Sequence, residues 1–167
     1  MIMVYTGHGK GKTCACVGQA LRAYGQGMRV GFFQYMKRPH QAGEQKILAN
    51  LLGEDYVAGG LGFLRSPDRF LEHREASVQL TKQILPLVAE LDMLVLDEAL
   101  YALKAAVLTQ EELRGIMELC DRNQTHLVLS GRDAPQWLID AAGLVTEMTE
   151  VKHPYSQGMA AEQGIEF

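Results

Sequence analysis

The stretch Gly7-His8-Gly9-Lys10-Gly11-Lys12-Thr13 sets three glycines around two lysines and ends on a hydroxyl. Glycines let a backbone curl until successive N–H groups point inward at anionic oxygens, a lysine adds positive charge, and the last hydroxyl can ligate Mg²⁺. The segment from Gly7 to Thr13 therefore reads as a phosphate loop for ATP, with Lys12 as the charge on the phosphates and Thr13 as a metal ligand. The usual spacing asks for glycine at position 6, where this chain has Thr6. Gly7 and Gly11 are thus one residue closer than the usual pair, which would hold phosphates in an altered register. The plainer alternative is a glycine-rich turn that only starts a helix. His8 sits in the loop with its side chain expected to point outward, because such a loop works through its backbone.

Two more segments deliver polar groups from apolar runs. Leu94-Val95-Leu96-Asp97-Glu98 ends in two acids at the carboxyl end of a buried strand, where open α/β sheets bind ligands. Asp97 is the candidate for the metal shell, and Glu98 a second ligand or a nucleotide contact. The alternative is a solvated strand end that caps the next helix. Leu127-Val128-Leu129-Ser130-Gly131-Arg132-Asp133 brings Arg132 to the same edge, where it can reach a triphosphate. A surface ion pair is the other reading. Lys152 and His153 follow the last expected strand and either close over the site or stay apart from it.

The elements that must position these groups alternate. Ile2 to Tyr5 reads as a strand, Cys14 to Tyr24 as a helix and Met28 to Tyr35 as a strand, which completes a βαβ unit. A helix follows over Ala42 to Leu52 and a short strand near Tyr56 and Val57. Ala58-Gly59-Gly60-Leu61-Gly62-Phe63-Leu64 is too rich in glycine for a regular element, so it is either a mobile loop that meets a ligand or a loop tucked on the core. A long helix is expected from Pro67 or Asp68 to Glu90, kinked near Pro86. Helices over Ala99 to Ala105, Gln110 to Cys120 and Ala134 to Ala142 alternate with strands at Asp92 to Glu98, His126 to Ser130 and Leu144 to Met148. The pattern predicts an α/β fold, one domain over residues 1–167, whose mainly parallel sheet is flanked by helices.

Composition removes several classes. The chain has 167 residues, 47% hydrophobic and 22% charged, with a net charge of -4. It lacks the basic excess of a duplex-binding surface, and nucleic acid is not an expected partner. Cys14, Cys16 and Cys120 are odd in number. Cys14 and Cys16 would point about 200° apart around a helix, which excludes a shared metal and a disulfide framework. No run approaches the roughly 18 apolar residues of a membrane span, so a cytoplasmic protein is expected.

The sequence resembles the ATP:corrinoid adenosyltransferases of cobalamin biosynthesis and salvage. The likeness covers nearly the whole chain through Tyr5 to Thr13, Arg22-Ala23-Tyr24-Gly25-Gln26-Gly27, Gln34-Tyr35-Met36-Lys37, Leu91 to Glu98, Thr125 to Arg132, and the tail Val145 to Met148, Val151-Lys152-His153 and Gly158 to Phe167. It implies a RecA-like phosphate-loop fold, a homodimer, and transfer of the 5′-deoxyadenosyl group of ATP to Co(I) of a corrinoid, with triphosphate released. It further implies ATP bound in reverse, Arg22 as an ATP contact, Leu61 and Phe63 as the corrinoid-facing residues, and a flavodoxin-like or ferredoxin-like reductant. Lys12, Arg132 and Glu98 are the catalytic candidates and Thr13, Asp97 and Glu98 the metal candidates. Two features depart from the family. Two aromatic residues are usual where this chain has Leu61 and Phe63, and longer members fold an N-terminal extension over the site, so either substrate affinity is lower or another segment covers the corrinoid. A phosphate-loop ATPase or small-molecule kinase, and a non-catalytic nucleotide or corrinoid binder, are the competing readings.

Overall fold

Val30-Gly31-Phe32-Phe33-Gln34 is buried at every position, which a strand meets only when helices cover both faces of its sheet. The computed structural model, which describes residues 1–166, builds that sheet from β1 (Ile2–Thr6), β2 (Val30–Gln34), β3 (Tyr56–Ala58), β4 (Met93–Asp97), β5 (His126–Ser130) and β6 (Leu144–Glu147). Their order is β3-β2-β4-β5-β1-β6, and all neighbours pair in parallel. The helices are α1 (Lys12–Gly25), α2 (Gly43–Leu52), α3 (Phe70–Ile84), α4 (Ala99–Lys104), α5 (Gln110–Arg122) and α6 (Gln136–Ala141). Among the described residues no helix is long and apolar enough to cross a membrane.

From β1 to β3 the chain moves toward one edge of the sheet, and from β3 to β6 it moves back toward the other. Right-handed crossovers therefore send the helices of the two legs to opposite faces. Two separate cores follow. Cys16 and Ala20 of α1 and Leu48 of α2 pack on Phe32, Val95 and Val128. On the other face Leu80, Ile84, Leu100, Leu113, Ile116 and Leu138 pack on Phe33, Leu94, Leu96 and Leu129. Alternate residues of one strand thus feed different cores, as the two-residue period of a strand requires.

Several expected boundaries shift, some of them for a visible local reason. The strand at Met28 starts two residues later, because the Met28 amide still donates to Ala23 O at 3.2 Å and closes the end of α1. The long helix to Glu90 stops at Ile84, and Val88–Glu90 is a separate 3-10 turn. Pro86 has no N–H to continue the ladder. Its start also moves, with a 3-10 turn over Pro67–Arg69 before α3.

Candidate functional site

All strands being parallel, their carboxyl ends share one edge, and β1, β2, β4 and β5 deliver Thr6, Gln34, Asp97 and Ser130 there. Thr6 is still strand. It pairs with Glu147, and its Oγ1 accepts from the Ala134 amide at 3.2 Å. This is why the loop is one residue short: the turn begins only at Gly7, whose φ of 98° favours glycine and where a Cβ would lie 2.4 Å from Met148 O. The Gly9 amide donates to the same carbonyl at 2.7 Å, which seats the loop on the segment after β6.

Lys12 opens α1 and folds back into the loop, its Nζ donating to Gly7 O at 2.8 Å and Gly9 O at 2.7 Å. Burial is the main influence drawing this ammonium below its ordinary pKa; Arg132 adds to it, while Glu98 and Asp97 oppose it. A charge so placed, satisfied only by neutral carbonyls, is ready to exchange them for phosphate oxygens.

Asp97 is fully buried and forms the hub of the edge. Its Oδ1 accepts from Ser130 Oγ at 2.6 Å and its Oδ2 from Gln34 Nε2 at 3.0 Å, while Thr13 Oγ1 lies 3.2 Å from both oxygens. Lys37 Nζ stands 3.4 Å from Asp97 Oδ2, 3.1 Å from Thr13 Oγ1 and 2.7 Å from Glu44 Oε1. Burial pulls the Lys37 pKa down, but Asp97 and Glu44 outweigh it and hold the ammonium charged. A cation is therefore already accommodated between the hydroxyl and carboxylate oxygens that a hard divalent ion would take. Among the described residues no three or more His, Cys, Asp or Glu side chains converge as a metal cluster. An ion here would draw few ligands from the protein and the rest from phosphate and water, the habit of Mg²⁺. The residues fit that ion.

Glu98 caps α4 from a left-handed conformation, φ 59°, its amide donating to Ser130 Oγ at 3.0 Å. Burial first, and Asp97 second, raise its carboxyl pKa against the pull of Lys37, Lys12 and Arg132.

A cavity of about 1040 Å³ joins these groups. His8, Gly9, Lys10, Gly11, Lys12 and Thr13 line it, together with Glu98, Arg132 and Phe63. His8 also pairs with Asp133 at 3.1 Å. Gly7 and Asp97 stand behind the lining rather than in it, and Leu61 is used through its carbonyl, which accepts from Arg38 Nε at 2.7 Å. Arg22 is not brought to the cavity: it lies exposed in the last turn of α1. Cys14 faces the cavity while Cys16 is buried in the core, so the two do point apart.

The glycine-rich segment is both anchored and presenting. The Gly59 and Gly60 amides donate to Gln34 O and Lys37 O at 3.1 and 3.0 Å, and a Cβ on Gly60 would meet Tyr35 O at 2.1 Å. Leu64 packs on the core, whereas the Phe63 side of the loop stays open, 57% exposed.

Several groups escaped the motifs. Glu44 and Ser130 carry no signature of their own, although a lone glutamine closing the apolar run of β2, with a lysine three residues on, is a signal for Gln34 and Lys37. The tail also returns to the loop, since Lys10 Nζ donates to Ile165 O and lies 3.2 Å from Glu166 Oε1. His153 lines the cavity with them. The last tail residue, Phe167, lies outside the described residues.

The replication initiator DnaA bound to AMPPCP and single-stranded DNA superposes with a TM-score of 0.50 at 16% identity, over 88% of this chain and 40% of that one. That likeness concerns the fold alone, a RecA-like phosphate-loop sheet. A corrinoid adenosyltransferase from Pseudomonas aeruginosa is 33% identical over 171 residues, which cover 100% of this chain and 83% of that protein. The corrinoid adenosyltransferase CobA of Salmonella typhimurium is 32% identical over 169 residues, covering 100% of this chain and 85% of that protein. The model of the ATP:corrinoid adenosyltransferases BtuR/CobO/CobP matches residues 1–167. Where the sheet alone leaves many phosphate-loop enzymes open, this match over the full length decides among them: the chain belongs to the ATP:corrinoid adenosyltransferase family.

Proposed function

We propose that this protein transfers the 5′-deoxyadenosyl group of ATP to the reduced cobalt of a corrinoid and releases triphosphate. The observation that carries the reading is that a shortened phosphate loop and an exposed phenylalanine line one cavity, in a chain that matches this family throughout. Polyanion and apolar macrocycle each find matching groups in it.

The Co(I) electron pair forms the bond to C5′, the C5′–O bond breaks, and its electrons leave with the triphosphate. Cobalt ends as Co(III), and no proton need move. The protein's task is to hold C5′ in line with cobalt and stabilise charge on the leaving group. Lys12 exchanges its loop carbonyls for phosphate oxygens, and Arg132 meets the same charge from the end of β5. Thr13 and Asp97, with Glu98 beside them, would hold Mg²⁺, which would offset charge on the triphosphate. Phe63 faces the corrinoid, the neighbouring Leu61 belongs to the same loop, and His8, Gly9, Lys10 and Gly11 offer the loop backbone to ATP. Residues 1–167 act as one catalytic domain, a homodimer of the cytoplasm that takes electrons from a flavodoxin-like or ferredoxin-like protein.

Incubation with ATP, Mg²⁺ and chemically reduced cobalamin tests this. Triphosphate and a light-sensitive alkyl-cobalt spectrum are expected; ADP with an unchanged Co(I) spectrum would overturn it in favour of a kinase or ATPase.

A further inference from the structure

Phe63 follows Gly62, whose φ of 86° lies in the left-handed region that favours glycine. The exposed ring is held by a neighbour. Its centroid lies 5.2 Å from that of Tyr101, with the planes at 72°, an edge-to-face contact. Tyr101 belongs to a rigid part of the molecule. Its neighbours Leu100 and Ala102 are buried, its carbonyl accepts from the Ala105 amide at 2.9 Å, and a Cβ on Gly131 would stand 2.8 Å from its backbone nitrogen. It also lies in the first turn of α4, just past Glu98, so one short helix registers the aromatic contact to the acid at the nucleotide end. No described residue hydrogen-bonds its hydroxyl, which leaves the ring as its means of contact.

We infer that Tyr101, which stands outside the cavity lining, is a positioning residue whose ring fixes Phe63 against the macrocycle. The loop, which has Leu61, draws its second ring from another element. This rests on the proposed seating of the corrinoid at Phe63. Holding the exposed ring in one orientation before the substrate arrives removes an ordering cost from the binding step.

The test reads the coordination of cobalt rather than turnover alone. Cobalamin reduced to Co(II) is bound to the full chain with ATP and Mg²⁺, and electron paramagnetic resonance gives the ratio of four-coordinate to five-coordinate cobalt. An edge-to-face contact predicts that Tyr101→Ala lowers this ratio by about two- to tenfold, in the direction of Phe63→Ala, with ATP affinity unchanged. Tyr101→Leu, which keeps bulk on α4, is expected to behave like Tyr101→Ala, and Tyr101→Phe to restore the wild-type ratio. A wild-type ratio in Tyr101→Leu beside a lowered one in Phe63→Ala would overturn the inference and leave the seating at Phe63 standing. Failure of Tyr101→Phe to restore the ratio overturns it as well. No change in any variant, Phe63→Ala included, would remove the seating at Phe63 and the inference together.

Discussion

At the phosphate end of the cavity a polar network gathers on one carboxylate: Asp97 touches Gln34, Ser130, Thr13 and Lys37, and Lys37 reaches on to Glu44. At the end proposed for the corrinoid one exposed ring leans on one other ring. The difference follows from what each end must stabilise. A buried carboxylate is costly unless each of its lone pairs is met, and a leaving polyanion needs charges that are already in place. An apolar macrocycle asks only for shape and the exclusion of water, for which few contacts suffice. Charge is therefore held by a network, and apolar contact by a pair.

Removing the charge at the phosphate end should break this contrast most completely. Lys12→Ala is expected to lower kcat/KM for adenosyl transfer by at least about a hundredfold, the scale for loss of a preorganised charge on a leaving group. The assay is the initial rate of alkyl-cobalt formation. Its melting temperature should fall by a few degrees, because the buried Gly7 and Gly9 carbonyls lose their donor, so rates are compared per folded molecule. Full turnover in this variant would disprove the loop's role. Asp97→Asn comes next. The amide keeps the shape of the hub but not its charge, so calorimetric titration should show ATP binding retained in EDTA while the gain on adding Mg²⁺ falls about tenfold or more, as loss of a metal-site partner does. An undiminished gain would place the ion elsewhere.

These two predictions concern residues that the sequence displayed openly, and the reason is geometric. A phosphate loop is contiguous and an acid at the end of an apolar run announces itself, so Lys12, Thr13, Asp97 and Glu98 are legible, as are the strands that carry them. Gln34, Lys37 and Glu44 are harder to find, since each is a single polar residue on a different element, and only the parallel pairing of β2 with β4 sets Gln34 opposite Asp97. Tyr101 is hidden for the same reason, as a tyrosine on a short helix that looks like packing until Phe63 folds onto it. The return of the tail to Lys10 was equally invisible, because no periodicity links a loop lysine to Glu166. Arg22 is a different case: it belongs to a recognisable run, and the last turn of α1 leaves it exposed outside the cavity lining. Pro86 shows that even a visible breaker fixes a boundary only once the hydrogen bonds around it are drawn.

Arg132 sharpens the comparison at smaller scale, being a charge of the phosphate end that stays exposed. Solvent screening reduces what it contributes, so Arg132→Ala is expected to cost about tenfold in kcat/KM, less than Lys12→Ala. Arg132→Lys should recover only part of the loss if the planar fork is what meets the triphosphate. Steady-state kinetics at several salt concentrations check both points. A loss as large as that of Lys12→Ala would show that screening does not reach this arginine once ATP is bound.

The mildest effect is expected where a polar network serves only the scaffold. Arg74 on α3 grips Glu112 on α5 through two hydrogen bonds of 2.7 Å, and also donates to Val107 O at 2.8 Å. Glu112 in turn accepts from the Thr109 amide at 2.8 Å and so caps α5. Burial raises the Glu112 carboxyl, but the bonds from Arg74 and Thr109 outweigh it and hold the pKa below its ordinary 4.5. A carboxyl lowered on folding stabilises the folded state fully above its unfolded pKa, and the contribution fades as pH falls through the lowered folded value. Arg74→Ala should therefore cost about 1–2 kcal/mol at pH 7, or about 2–6 °C in melting temperature. The gap to wild type should narrow as pH drops through and below the ordinary carboxylate range. Turnover per folded molecule should not change, since neither residue lines the cavity. Melting curves between pH 7 and acid, beside initial rates at pH 7, measure both; a gap that widens in acid, or a turnover that falls with stability, would mean that the scaffold pair is coupled to the site and that the two kinds of network are not separate.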